Sequence, residues 1–266
     1  MRSRVELADL WTLNDEISER SCGYQKRRAR RRGNSGGSGA ASTPLTIITS
    51  VPVLQWVRSD LNVTQAGTVS QWDDQTANAY HFTQATSGKR PAYTASDATL
   101  NNRPTITGDG VDDDLANASI PNGSSIWISG IVKVVTWVAG RQIWGKNTGG
   151  TECGDLYMVN SSPNLALYNG TPLANINGGL PEGTWGRVET HLIDSAACYL
   201  KLRSTVISTG SAGGLSATGC ALFSSAGATF GNVAIAERVV CSGKPTAPEI
   251  TALDAYFTAL YGVGLT

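Results

Sequence analysis

From about residue 45 onward, short strand-like segments alternate with turn-forming residues, and this pattern constrains the fold more than any other feature. In several segments the side chains alternate with a period of two, so that Leu200 and Leu202 face away from Tyr199, Lys201 and Arg203. The clearest segments are Thr68 to Trp72, Ser125 to Val138, Gly186 to Ile193, Cys198 to Ser208 and Val233 to Cys241. Turn signals such as PNG, TGG, NGG and SGK separate the segments and predict an antiparallel meander or Greek key. The 30 glycines and the low charged fraction of 16% agree with an all-β domain.

One helix is predicted in this part of the chain, from Pro245 to Gly262. Pro248 suits the first turn, and Gly262 suits the end of the helix. Its apolar stripe consists of Ile250, Leu253, Phe257 and Leu260. The predicted fold class is therefore all-β, a two-sheet antiparallel jelly-roll sandwich with one C-terminal helix, preceded by an extended or helical basic N-terminal arm.

The charge of the chain is unevenly distributed, although 21 basic residues balance 21 acidic ones overall. The first 33 residues hold nine Lys or Arg and five Asp or Glu, which leaves 12 basic and 16 acidic residues for the remainder. A Gly- and Ser-rich stretch then joins the two parts. We predict a basic amphipathic anchoring arm over 1–33, a linker over 34–44 and a β domain over 45–266.

The arm combines a short amphipathic helix with a run of six positive charges in seven residues. A helix with a lone Trp beside an Arg cluster indicates a docking segment, and the alternative is a solvated, disordered tail. Arg and Lys clusters also bind nucleic acid, but the net acidic β domain argues against that partner. The residues predicted to dock are Leu7, Leu10, Trp11, Ile17, Lys26, Arg27, Arg28, Arg30, Arg31 and Arg32.

Composition also limits the location of the chain. No apolar run approaches the roughly 18 residues that cross a bilayer, so no membrane partner is predicted. Acidic residues interrupt the N-terminal 20 residues where a secretory signal needs an apolar stretch. The five cysteines include no CxxC pair and predict neither a zinc site nor a disulfide framework, which fits a reducing cytosol.

Three stretches resemble the concanavalin A-like lectin/glucanase (LamG-like) jelly rolls common in bacteriophage and bacterial surface proteins. VLQWVRSDLNVTQAGTVSQWDDQTANAYHFTQATSGKRPAY, from Val53 to Tyr93, is similar to the entry of that family, and NNRPTITGDGVDDDLANA, from Asn101 to Ala118, is similar to its "F-D-G-x-D-D-x-L" segment. ERVVCSGKPTAPEITALDAYFTALYG is similar to its closing strand and helix. The chain departs from the family at Thr107 and Gly108, where an aromatic residue usually precedes the Asp-Gly pair.

The resemblance and the two-part charge pattern together imply a bacteriophage structural protein, either a capsid decoration or a head or tail fibre protein. The arm would attach it to phage capsid or tail proteins, and a lectin-like, homo-oligomeric domain would bind host-surface glycans with avidity. The expected location is the virion, assembled in the host cytoplasm. A free carbohydrate-binding module or adhesin is the second interpretation and a degenerate glycoside hydrolase the third, because this fold hosts all three.

No catalytic residue is predicted, and the chain is expected not to be an enzyme. Glycoside hydrolysis needs two carboxyl groups about 5 to 9.5 Å apart, yet Glu189 and Glu237 each stand alone in a strand-like segment. Glu152 and Asp155 lie in a Gly-rich turn, and the family's E-x-D-x-x-E pattern is absent.

Cofactors and metals are not predicted, with calcium as the one alternative. The densest acidic cluster is Asp109, Asp112, Asp113 and Asp114, and a second consists of Asp73, Asp74 and Asn78. Such oxygen ligands suit calcium, but the same residues also form turns by bonding nearby backbone amides. The two histidines, His81 and His191, fall on separate strands without a Cys or second His at ligand spacing.

Exposed tryptophan rings are common carbohydrate contacts, so the tryptophans are candidates for a glycan site. Alternation places most of them in the core. Trp127, for example, lies on the same face of its strand as Ile131 and Trp137. Trp144, in GRQIWGKN, is the candidate for an exposed glycan-binding ring.

Overall fold

The computed structural model describes residues 42–121, 123–147, 154–159, 163–168, 179–193, 197–202, 205–211 and 218–262. The arm and its predicted docking residues lie outside this part of the chain. The division into 1–33, 34–44 and 45–266 therefore stays a prediction.

Two antiparallel eight-stranded sheets form the β domain, as the alternation predicts. Sheet A runs in the order β14-β13-β12-β8-β16-β6-β5, and β1 also pairs with β16. Its strands are β1 (Val53–Arg58), β5 (Ala92–Asp97), β6 (Arg103–Thr107), β8 (Ser125–Val134), β12 (Trp185–Ile193), β13 (Ala197–Leu202), β14 (Thr205–Ser211) and β16 (Val233–Cys241).

Sheet B runs in the order β11-β10-β9-β15-β7-β4-β3-β2. Its strands are β2 (Val63–Gln65), β3 (Val69–Trp72), β4 (Phe82–Thr83), β7 (Leu115–Pro121), β9 (Gln142–Gly145), β10 (Asp155–Met158), β11 (Leu165–Tyr168) and β15 (Thr218–Leu222). The prediction of an all-β fold with two antiparallel sheets and a C-terminal helix is confirmed. The jelly-roll connectivity stays a prediction.

Among the described residues, the sheets are accompanied by the one-turn helix α1 (Pro44–Ile47) and the 15-residue helix α2 (Ala247–Tyr261). Thr246 and Glu249 form a capping box at the start of α2, and Gly262 ends it with a φ of 99°. Leu253, Phe257 and Tyr261 recur every four residues and are buried. Within the described residues, no helix has the length and apolar character needed to cross a membrane.

Period-two alternation in β8 divides the interior into two cores. Ile126, Ile128 and Val132 point between the sheets and join the main core, which includes Trp72 and Trp144. Trp127 and Ile131 point to the other side of sheet A, where they pack with Trp56, Trp185 and the apolar stripe of α2. Sheet A is therefore buried on both faces over the area that α2 covers, which explains why β16 is buried at all nine positions.

The described cysteines Cys198, Cys220 and Cys241 are all buried. They occupy core positions of three different strands.

Candidate functional site

A cleft of about 440 Å³ opens on the outer face of sheet B, at the strands β9, β10 and β11. Its polar and aromatic lining comprises Gln142, Lys146, Asp155, Tyr157, Tyr168 and Ser225. Small-molecule sites typically measure about 300 to 1,000 Å³ and combine apolar or aromatic walls with a few fixed polar groups. The cleft fits that description.

Strand alternation places the two tyrosines in the cleft. Tyr157 lies between Leu156 and Met158, both of which are fully buried in the main core, so its ring projects from the opposite face. Tyr168 projects from the neighbouring strand, directly across from Asp155. The ring centroids of Tyr157 and Tyr168 are 6.4 Å apart, and the ring planes stand at 83° to each other. The two rings therefore form two nearly perpendicular walls.

Asp155 anchors the floor of the cleft. One oxygen, Oδ1, accepts a hydrogen bond of 2.9 Å from the backbone N–H of Lys146, and Oδ2 accepts one of 2.7 Å from the hydroxyl of Ser225. The side chain is 4% exposed, so it is held in one position. Asp155 is the one carboxylate among the described lining residues.

Gln142 carries an acceptor that the described residues leave unpaired. Its Oε1 atom is buried and has no hydrogen-bond partner among them, although Gln142 lines the cleft. An unpaired buried acceptor costs about 1 to 3 kcal/mol, and a hydroxyl or N–H group of a ligand would satisfy it. Burial raises the pKa of Tyr157, and the nearby phenol of Tyr168 raises it further, so the Tyr157 hydroxyl is neutral at neutral pH.

A strained turn forms one rim of the cleft. Ser225 and Ala228 exchange backbone hydrogen bonds of 3.0 and 2.9 Å, and both central residues have positive φ, 52° at Ala226 and 68° at Gly227. Thr229 also has a positive φ, of 55°, and its carbonyl accepts a 2.9 Å hydrogen bond from the backbone N–H of Gln142. Non-glycine residues rarely adopt this conformation, and such residues cluster at ligand sites.

The structure places Trp144 in the main core, with no exposed surface, and corrects the expectation of an exposed ring. The cause is a bulge in β9. Gln142 and Trp144 are two residues apart, but their partners in β10, Tyr157 and Leu156, are adjacent, so β9 holds one extra residue. The extra residue turns Trp144 inward, where Gly130 leaves room for its ring, and leaves Gln142 facing outward. A ring in that position cannot stack on a sugar, so Tyr157 and Tyr168 replace it as the candidate aromatic contacts.

Tyr157 and Tyr168 were not among the glycan contacts predicted from the sequence, which were tryptophans only. The available signal was the alternation in DLYM and LALY, where each tyrosine follows a leucine that belongs to the core. The strained turn had no sequence signal, because Ala226 and Thr229 are not typical left-handed residues.

The carboxylates of Asp109, Asp112 and Asp113 come together, with one oxygen of each within 4.8 Å of the others. Asp109 also accepts hydrogen bonds from the backbone N–H groups of Val111 and Asp112, and Asp113 accepts one from Asp109. Burial and the charge of Asp109 raise the pKa of Asp113 to about 6. Asp114 lies apart from this trio and bonds to Gln84.

In the other acidic cluster, the side chains of Asp74 and Asn78 are bonded to backbone groups. Asp74 accepts hydrogen bonds from the backbone N–H groups of Trp56, Thr76 and Tyr80. Asn78 is turned away and donates to the carbonyl of Leu54. Calcium binding stays a prediction.

No protein-family model matches the chain, and no curated protein matches it. Among solved structures, a mutant GH54 α-L-arabinofuranosidase soaked with 4-nitrophenyl α-L-arabinofuranoside superposes with a TM-score of 0.58 at 14% identity, covering 80% of this chain and 60% of that chain. Domain 4 of AbnA, a GH43 extracellular arabinanase from Geobacillus stearothermophilus, was solved in complex with arabinotriose and gives a TM-score of 0.56 at 15% identity. That match covers 80% of this chain and 100% of the domain.

A sialidase from Trypanosoma rangeli in complex with sialic acid is also similar, with a TM-score of 0.53 at 13% identity, covering 81% of this chain and 35% of that chain. The chain thus spans about three fifths of the arabinofuranosidase and about a third of the sialidase. At these identities the likeness shows a shared β-sandwich fold, and the proteins that share it are carbohydrate-active.

These neighbours contradict one prediction from the sequence. The chain was expected not to be an enzyme, and that prediction is wrong, because solved structures that share its fold come from glycoside hydrolases. None of the comparisons supports a virion or capsid role.

Proposed function

We propose that this β domain binds a short oligosaccharide in the cleft of β9, β10 and β11. The observation that carries the proposal is the combination of two perpendicular tyrosine rings with an unpaired buried acceptor on Gln142. Aromatic rings contact the apolar faces of a sugar, while the acceptor on Gln142 and the phenol hydroxyls suit its hydroxyl groups. The complex of the AbnA domain with arabinotriose supports the proposal, because the match covers the whole of that domain and 80% of this chain.

The experiment that tests the proposal is calorimetric titration of the full chain with arabinotriose and with a panel of other neutral oligosaccharides. We expect Tyr157→Ala and Tyr168→Ala each to weaken binding by about tenfold or more, since central aromatic contacts contribute more than about 1 kcal/mol. Tyr157→Phe and Tyr168→Phe keep the rings and separate stacking from hydrogen bonding. Val111→Ala, at an exposed position outside the cleft, is the control.

The proposal fails if no oligosaccharide binds, or if the tyrosine variants bind as tightly as the unaltered chain while remaining folded. Binding that Tyr→Phe weakens as much as Tyr→Ala would indicate recognition through the hydroxyl groups without stacking.

Glycoside hydrolysis is the second candidate function, because the neighbours in the fold comparison are glycoside hydrolases. The test is release of reducing sugar from arabinan and from sialylated glycans, with Asp155→Asn as the variant that removes the cleft carboxylate. Activity that Asp155→Asn abolishes, without loss of folding, would assign the chemistry to the cleft.

Attachment of the domain to a phage particle is a separate proposal that rests on the charge pattern of residues 1–33 and on the family resemblance. Co-sedimentation with particles lacking this protein tests it, by comparing the full chain with a version without residues 1–33. Binding that requires the arm supports a virion component, and binding by neither form rejects it.

A further inference from the structure

A second cavity, of about 160 Å³, opens at one end of sheet A. Its walls come from the segments that follow β6 and β8 and from the segment that precedes β16. These three segments meet because β16 runs antiparallel to both β6 and β8. The side chains that line the cavity are Asp109, Thr136, Val138, Arg141, Phe230 and Asn232, and none of them lines the cleft.

Backbone contacts fix the walls of this end cavity. The backbone N–H of Thr136 donates a 3.2 Å hydrogen bond to the carbonyl of Asn232, and the Asn232 side-chain amide donates one of 3.3 Å to the Thr136 hydroxyl. On the other side of Asn232 lies Gly110, with a φ of 79°, where an added Cβ would come within 3.0 Å of the Asn232 Cβ. A glycine is therefore needed for this close approach of two walls.

The end cavity and the cleft share one pair of backbone segments. The backbone N–H of Gln142 donates a 2.9 Å hydrogen bond to the carbonyl of Thr229, and both of these residues line the cleft. Their chain neighbours Arg141 and Phe230 line the end cavity instead. The two cavities are therefore separate sites that lie back to back on this pair.

The end cavity holds a donor and an acceptor that are not paired with each other. The side chain of Arg141 is partly buried and makes no hydrogen bond or ion pair with a described residue. Oδ1 of Asp109 accepts hydrogen bonds from the backbone N–H groups of Val111 and Asp112, whereas Oδ2 accepts none from the described residues. A guanidinium offers up to five N–H donors, so the cavity presents both kinds of hydrogen-bonding group to a ligand.

The charges around the end cavity favour a neutral ligand. The carboxylates of Asp112 and Asp113 each have an oxygen within 4.8 Å of one on Asp109, so three acidic groups stand together at this wall and would repel an anion. A cation would meet the unpaired charge of Arg141. Neutral hydroxyl groups avoid both repulsions, because they accept from a guanidinium and donate to a carboxylate, and such charge-assisted hydrogen bonds are strong.

Apolar surface completes the lining. The ring of Phe230 is partly buried, and the side chain of Val138 is 43% exposed. The volume of about 160 Å³ is roughly half of the smallest typical small-molecule site. A ligand that fits is therefore small, carries several hydroxyl groups and has one apolar face, which describes a single sugar ring.

We propose that the end cavity is a second sugar-binding site, which takes one neutral monosaccharide unit. Arg141 donates to its hydroxyl groups, Asp109 accepts from them and Phe230 contacts the apolar face of the ring. The site goes beyond the proposed function, because it uses none of the residues of the cleft. Two sites on one domain let it hold two glycan chains, or two parts of one chain, with a gain in avidity.

The test is an NMR titration of the ¹⁵N-labelled full chain with L-arabinose, D-galactose and D-glucose. Sodium glucuronate and glucosamine hydrochloride are the negatively and positively charged comparison sugars, at constant ionic strength. The resonances followed are the backbone amide of Gly110 and the side-chain Nε–H of Arg141, which is identified by its loss in Arg141→Gln. We expect both to move saturably with at least one neutral sugar at millimolar concentration.

Variants assign the response to the end cavity. Arg141→Gln and Phe230→Leu should each weaken binding by about tenfold or more, measured at the Gly110 amide. Lys89→Gln is the matched control, because Lys89 is an exposed cation that lines neither cavity, and it should leave binding unchanged.

The proposal is overturned if no neutral sugar moves the Gly110 amide, or if glucuronate or glucosamine alone moves it. It is also overturned if Arg141→Gln binds as tightly as the unaltered chain. The response should persist in Tyr157→Ala, and its loss there would assign it to the cleft and reject the second site. Failure of this site and failure of the proposed cleft are therefore distinguishable.

Discussion

Glu237 lies beneath helix α2 with no exposed surface, and its ionisation should make the stability of the domain depend on pH. Its carboxyl group accepts hydrogen bonds from the indole N–H of Trp56 at 2.6 Å, from the Tyr261 hydroxyl at 2.6 Å and from the Tyr256 hydroxyl at 2.9 Å. Burial raises the pKa of Glu237 from 4.5 to about 7, although these donors and the charge of Arg58 oppose the rise. The folded protein therefore keeps this proton at a pH where an exposed glutamate has lost it.

The sign of the effect follows from proton binding. Below pH 4.5 the group is protonated in both the folded and the unfolded state, so its full contribution to stability is present. Between pH 4.5 and about 7 only the folded state holds the proton, and the free energy of unfolding falls as the pH rises. At about 1.4 kcal/mol per pH unit the loss amounts to about 3 kcal/mol.

The assay is urea denaturation of the full chain and of Glu237→Gln in steps from pH 4.5 to about 7.5. Glutamine keeps the volume and cannot ionise, so the difference in unfolding free energy between the two proteins should shift by about 3 kcal/mol across this range. Asp113, whose pKa is raised to about 6, contributes equally to both proteins and cancels. An infrared carbonyl band of a protonated carboxyl group near pH 7, absent from Glu237→Gln, gives a second measurement. A difference that does not vary with pH, together with no such band, would refute the reasoning.

Three further predictions concern stability and the cleft. Ala226→Asn suits the positive φ of its turn position and should raise the free energy of unfolding by about 1 kcal/mol in urea denaturation, with Ala228→Asn as the control. Glu249→Ala removes the carboxylate that holds Thr49, Ser50 and Thr246 and should cost about 1 kcal/mol in the same assay. These hydrogen bonds keep the pKa of Glu249 well below 4.5, so the cost should shrink as the pH falls below 4.5, and a constant cost would contradict the assignment. Gly145→Ala places a methyl group 2.6 Å from Cβ of Ser225, which should destabilise the fold by about 1 to 3 kcal/mol and weaken oligosaccharide binding; unchanged calorimetry would show that Ser225 does not shape the cleft.

The class of fold could be predicted from the chain alone, because its determinants are local. Alternation in β8 and β12 and the turn residues between segments predicted two antiparallel sheets. The four-residue spacing of Leu253 and Phe257 predicted the C-terminal helix, which begins and ends within two residues of the expected bounds. Such patterns are repeated over many residues, so a single irregularity does not obscure them.

The candidate sites depend on details that no local pattern carries. One extra residue in β9 turns Trp144 into the core and leaves Gln142 beside Tyr157 in the cleft. Lys244 lies over the ring of Tyr199, although the two residues are 45 positions apart in the chain and no local pattern connects them.

Periodicity and composition were enough to predict the five clearest strand-like segments, the C-terminal helix and the charge of each part of the chain. They did not separate Cys198 to Ser208 into the two strands β13 and β14. Which side chains share a surface depends on the folded chain, because a bulge rotates every later side chain and long-range strand pairing brings distant residues together.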